Sequence, residues 1–291
     1  MQKHPLIGIF SGLGAAAIWG GMYVVSKVVL EVIPPFALLA TRLVLGIVTL
    51  GIVIALRPKV LVERRQLWNG FLVGVMGYGI SLGFQFVGTK LSTASNGSLV
   101  TSATPAFVLL FAPLILGEKT TPRKVLALVV STLGVMAVID PRTAELSPIL
   151  FWGNLSLLAA ALTWALYSVL VRRVARNADI LISSAMMLAG GIPSSLLLGA
   201  WEVQTQGIGE ITMGVIGGIL FLGIISTAIA MSLWNYAFAV LPAAVASLTF
   251  FAQPVVGTLL GWWFLDENIT PLFILGGVMI GIGLVISSTE K

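Results

Sequence analysis

Two stretches decide the fold. Residues 98–139 read SLVTSATPAFVLLFAPLILGEKTTPRKVLALVVSTLGVMAVI, and residues 247–288 read SLTFFAQPVVGTLLGWWFLDENITPLFILGGVMIGIGLVISS. They stand 149 residues apart, and in register Pro105, Glu118 and Pro122 recur as Pro254, Glu267 and Pro271. Each copy buries a proline in an apolar run, makes an acidic turn, and restarts on a proline where a missing N–H costs nothing. Upstream, Ala17-Ile18-Trp19 answers to Leu162-Thr163-Trp164 at an offset of 145 residues. The chain reads as two copies of one unit, 1–145 and 146–291.

Composition sets the solvent. Hydrophobic residues make up 58% of the chain and charged residues 9%, against about 25% charged in soluble proteins. The mean hydropathy is +1.05. Such a chain cannot cover itself with polar groups in water, so it is read as an all-α polytopic membrane protein. The net charge of +5 is then the positive-inside bias of membrane proteins, and no nucleic-acid partner is expected. With no cysteine, disulfides, thiolate metal sites and cysteine catalysis are excluded. The segment from Leu6 runs to Leu30, long enough to span, and is read as a first membrane helix rather than a leader.

A spanning helix needs roughly 20 apolar residues. Charged or proline-rich breaks leave ten candidates: 6–29, 36–56, 68–88, 93–116, 123–139, 149–171, 180–200, 211–236, 243–265 and 271–287. With the N-terminus inside, the cytoplasmic stretches collect Lys3, Arg57, Lys59, Arg64, Arg65, Lys119, Arg123, Lys124, Arg172, Arg173, Arg176 and Lys291. The other side holds only Lys90 and Arg142. That segregation predicts ten transmembrane helices with both termini cytoplasmic. Five helices per copy is an odd number, so the second copy enters the membrane from the opposite side. The expected architecture is two inverted five-helix repeats around a midplane site, the plan of an alternating-access transporter.

The Trp19-Gly20 pair and Lys27, the Thr41-Arg42-Leu43 triplet, and the two Pro-to-Glu-to-Pro passages resemble the drug/metabolite transporter superfamily, in particular its EamA-type members. The resemblance covers nearly the whole chain and implies ten helices in two EamA repeats. It also implies export of small metabolites, commonly amino acids, across the bacterial inner membrane. Among such proteins the chain resembles a YddG-like exporter of aromatic amino acids, on the cavity chemistry of the residues that follow.

Pro105 and Pro254 fall near mid-membrane, where each should bend its helix, free the carbonyls of Thr101 and Phe250, and serve as a kink or gate. Residues that combine an apolar face with a polar tip cluster on the same helices. Trp19 and Tyr23 share the first span, and Tyr78, Ser81 and Gln85 one face of the third. Ser98 and Thr101 precede Pro105, Trp164 and Tyr167 lie in the sixth span, and Phe250 and Gln253 flank Pro254. These eleven are the expected substrate-binding set. For each the alternative is helix glue or interfacial anchoring. Trp19 and Trp164 escape the anchoring reading because each lies about 20 Å along its helix, at 1.5 Å per residue. Trp234, Asn235 and Tyr236 read as an aromatic belt at the cytoplasmic end of the eighth span.

All eleven acidic residues fall in loops or at helix ends, and His4 is the only histidine. A proton-coupled pump usually keeps a carboxylate or histidine in the membrane as its relay, so facilitated export of neutral or zwitterionic solutes is expected, with Glu31 the remaining candidate for coupling. The alternative is a proton-coupled exporter of drugs or organic anions. A membrane-embedded enzyme lacks the acid/base groups it would need. Lys27 and Arg42 are read as structural charges, Lys27 snorkelling outward and Arg42 facing the interior towards Glu31 or helix-end carbonyls; the alternative for both is to receive a substrate carboxylate or phosphate. No metal or cofactor is expected, and the partners are a small-molecule substrate and lipid around a monomer.

Overall fold

The structure is a computed structural model that describes residues 5–58, 60–92, 97, 100–101, 103–139, 148–175, 179–265 and 271–288. Among them the chain is helical throughout, without a strand. The helices are α1 (Pro5–Val32), α2 (Pro35–Ala55), α3 (Arg64–Leu91), α4 (Thr104–Leu116), α5 (Pro122–Ile139), α6 (Pro148–Ala175), α7 (Ile180–Gln206) and α8 (Met213–Val240). Then comes α9, in three pieces (Ala243–Leu248, Thr249–Phe251 and Ala252–Leu265), and α10 (Pro271–Ser288). Six of these, α1, α2, α3, α6, α7 and α8, are long and apolar enough to cross a bilayer. Large apolar side chains such as Phe10, Leu114 and Leu197 are exposed on the outside, as a hydrocarbon solvent allows.

Prolines and caps set the boundaries. Helices α2, α5, α6 and α10 each open on a proline. Asp179 caps α7, its Oδ1 accepting from Leu181 N at 3.0 Å and Ile182 N at 3.1 Å, and Thr212 caps α8 through Val215 N. Glu202, only 5% exposed, accepts from Phe36 N at 2.7 Å and Ala37 N at 3.2 Å. Its charge is thus matched to the positive end of α2.

Two long helices are interrupted in the same way. Val75–Ser81 of α3 and Phe221–Ile229 of α8 are π-helical, a widening that recurs at functional sites. Helix α2 packs on α7 and on the π stretch of α8, while α7 packs on the π stretch of α3. Helix α1 lies against α8 and α9, α6 against α3 and α4, and α5 pairs with α10. Gly20 lets α1 and α9 meet: a Cβ there would stand 2.7 Å from Gln253 O and 2.9 Å from Gly257 N.

Polar ties close both ends of the bundle. At one, Lys27 Nζ donates to Thr89 O at 3.1 Å, Lys90 O at 3.2 Å and Ser92 O at 2.6 Å, and Ser92 Oγ donates to Asn154 Oδ1 at 2.7 Å. Lys27 therefore caps the last turn of α3 instead of snorkelling outward. At the other end Arg172 pairs with Glu118 at 2.6 Å and donates to Phe238 O and Leu241 O, while Glu118 also accepts from Ala243 N at 3.0 Å. Arg57 and Asp179 pair there at 3.3 Å.

Candidate functional site

The interior is an aromatic cluster centred on two matching residues. Trp19 and Trp164 meet edge to face at 5.6 Å, and Trp19 also touches Trp234 at 5.3 Å and Phe250 at 5.9 Å. Tyr167 lies 4.7 Å from Trp164, and Tyr78 lies 5.2 Å from Tyr167. Trp19 Nε1 donates to Ser226 O at 3.1 Å, a carbonyl in the π stretch of α8, and Trp234 Nε1 donates to Ser168 Oγ at 3.0 Å. The third indole differs: Trp164 Nε1 is buried with no acceptor.

Beside this cluster lies a narrow pocket with about 20 Å³ of free volume between side chains of α1, α3, α6, α8, α9 and the segment leading into α4. It has free room for little more than a water molecule, so a solute enters only if the walls part. Trp19, Tyr23, Ser81, Gln85, Thr101, Trp164, Phe250 and Gln253 line it. Of the remaining expected residues, Tyr78 and Tyr167 stand behind the wall. Their hydroxyls bond at 2.7 Å, and Tyr167 Oη donates to Asn235 Oδ1 at 2.6 Å. Ser98 lies outside the described residues.

Three expectations are corrected. Trp234 and Asn235 are fully buried rather than members of a belt, because α8 continues to Val240 and stops only before Pro242; Asn235 Nδ2 donates to Ser184 Oγ at 3.0 Å. The Thr101 carbonyl freed by Pro105 accepts from Thr104 Oγ1 at 2.7 Å. Pro105 lies in the first turn of α4, and Pro254 in the first turn of the last piece of α9, just after the 3₁₀ turn Thr249–Phe251. Pro254 thus marks a break between helical pieces rather than a bend within one, and Pro105 stands at the start of a helix. Finally, Arg42 is fully buried but does not pair with Glu31, which is exposed. Its Nε donates to Thr227 Oγ1 at 2.8 Å and its Nη2 to Ser226 Oγ at 3.2 Å.

Met22, Leu82, Thr104, Ala160, Ala161 and Met231 complete the lining. Alanine and methionine carry no chemical signature that separates a wall from a packing surface; Met22, Ala160 and Ala161 stand three or four residues from Trp19 or Trp164, and Met231 has no such marker. Among the described residues no group of histidines, cysteines or carboxylates could hold a metal. No acidic side chain is among the residues lining the pocket.

The sequence profile of the EamA-like transporter family matches residues 6–139 and again 151–289. The chain belongs to this family. The EamA-like chain is 26% identical over 285 residues to an uncharacterized transporter of Bacillus subtilis, YoaV, covering 97% of this chain and 96% of that one. It is 25% identical to the uncharacterized inner membrane transporter YedA of Escherichia coli K12, covering 98% and 92%. A crystal structure superposes with a TM-score of 0.79 over 97% of this EamA-like chain and 96% of its own, at 20% identity, a likeness of fold. The protein is a multi-pass membrane transporter.

Proposed function

We propose that this transporter exports small zwitterionic or neutral metabolites, amino acids with apolar or aromatic side chains foremost, by facilitated alternating access across the bacterial inner membrane. The observation that carries the reading is the pocket: aromatic faces beside uncharged hydroxyl and amide groups, with no carboxylate in its walls. Such a surface stacks an apolar side chain and hydrogen-bonds a zwitterion, but offers no protonatable relay. The organic-anion alternative draws on Arg42 alone.

The architecture proposed with it is ten spans in two inverted repeats, dividing between 145 and 146. Packing supports it: exchanging α1 to α5 with α6 to α10 turns the observed helix neighbours into one another. So do the end ties. Lys27 holds the last carbonyls of α3, and 145 residues later Arg172 holds those of α8, at the opposite end of the bundle. Arg57, Arg64, Arg65, Arg172 and Arg173 gather at or near the Arg172 end, which makes that end cytoplasmic in this reading. The transporter would act as a monomer within lipid.

The test is counterflow in liposomes. Purified protein should exchange labelled L-leucine or L-phenylalanine against unlabelled solute with no imposed pH or sodium gradient. An absolute requirement for either gradient overturns the facilitated mechanism, and exchange of neither solute overturns the substrate class.

A further inference from the structure

Arg42 lies within α2 with no exposed surface, and the groups that meet its guanidinium among the described residues are neutral. Besides the bonds of Nε to Thr227 and of Nη2 to Ser226, its neighbours among the described residues are the Met22 thioether, 3.6 Å from Nη1, and the Phe86 ring, whose centroid lies 5.1 Å from Cζ. Among the described residues no carboxylate pairs with it. A guanidinium withdrawn from water calls for a planar anion on its forked donors, and a thioether is a weak acceptor to find in that place.

The fold does not require this charge. The offset that relates Trp19 to Trp164 carries Arg42 onto Met187, which is equally buried on α7. Helix α7 packs there on the π stretch of α3 just as α2 packs on that of α8. A clamp demanded by the packing would be needed twice.

Met22 connects the cation to the pocket, since it touches the guanidinium and also lines the cavity. Its chain is unbranched and adaptable. Trp164 lines another wall, and its Nε1 is a donor buried without an acceptor among the described residues. A buried donor left unmatched in a cavity wall is a place for a ligand's acceptor.

We propose that Arg42 is the carboxylate subsite of the pocket. The substrate's carboxylate displaces the Met22 thioether and takes the Nη donors of Arg42, while the Trp164 indole N–H donates to an acceptor on the same substrate. The inference rests on the pocket being the transport site. It makes a free carboxylate the feature selected: a carboxamide or an amine would leave the buried cation without its anion, and a site built for a charged partner rejects analogues that lack it.

The experiment compares L-leucine and L-phenylalanine with their carboxamides in liposome counterflow, for the wild type, R42K, R42M, W164F and A161W. The wild type should favour each acid over its amide by about tenfold or more, the scale of one hydrogen bond to a charged group. R42M should erase that preference, R42K should restore part of it, and W164F should weaken apparent affinity several-fold. Equal handling of acid and amide by the wild type overturns the proposal. So does an R42M protein that melts and elutes as a folded monomer and keeps the wild-type ratio. A161W fills the pocket and tests the underlying reading separately: undiminished transport by A161W removes the pocket as the route, whatever Arg42 does.

Discussion

Position 42 on α2 and position 187 on α7 occupy matching places in the two halves, each against a π-helical stretch, yet one holds an arginine and the other a methionine. Around Arg42 the partners are hydroxyls, a carbonyl, a thioether and a ring. Around Met187 stands a closed neutral network, Tyr78 to Tyr167 to Asn235 to Ser184, with Tyr167 Oη 3.7 Å from Met187 Sδ. Around Met187 the hydroxyl and amide groups answer one another; around Arg42 a net charge is left for something else to answer. The scaffold is shared between the halves, and the charge is what one half adds to it.

The largest effect should come from moving the charge. Met187→Arg places a cation among groups already committed to one another, and an uncompensated buried charge costs about 3–5 kcal/mol. The variant should melt far below the wild type in detergent, whereas Arg42→Met, which copies the other half, should melt within a few degrees of it. Equal losses in the two variants would break the comparison, because Arg42 would then be a structural clamp. A smaller effect is expected in the neutral network. Asn235→Leu strands the Tyr167 hydroxyl and Ser184 and should lower stability by about 1–3 kcal/mol, measured by the same melts. Trp201→Ala, on an exposed part of α7, should change little and sets the baseline.

Much of this was legible because composition and periodicity report on solvent and repetition. The Trp19 and Trp164 match named two residues that meet at the centre of the molecule, and eight of the eleven expected site residues line one pocket. What could not be read follows from backbone detail. The π stretches leave no sequence mark, yet they shift which face of α3 and α8 turns inward, and Tyr78 was expected at the wall for want of that shift. Polarity alone stops α8 at Tyr236 and puts Trp234 and Asn235 at a membrane boundary, whereas Pro242 sets the stop further on. Thr104 carries no sequence signal of its own, because its hydroxyl answers a carbonyl that Pro105, lacking an N–H, leaves without its amide.

Alternating access requires the pocket to open to each side of the membrane in turn. The chain has no cysteine, so Ala161→Cys introduces a single thiol into a pocket wall. Right-side-out and inside-out vesicles carrying this variant would be treated with a membrane-impermeant maleimide, with and without a saturating transported amino acid. Labelling is expected in both vesicle types, with protection by the amino acid in both. A thiol that labels from one side only while transport continues, or whose labelling the amino acid leaves unchanged, would contradict it.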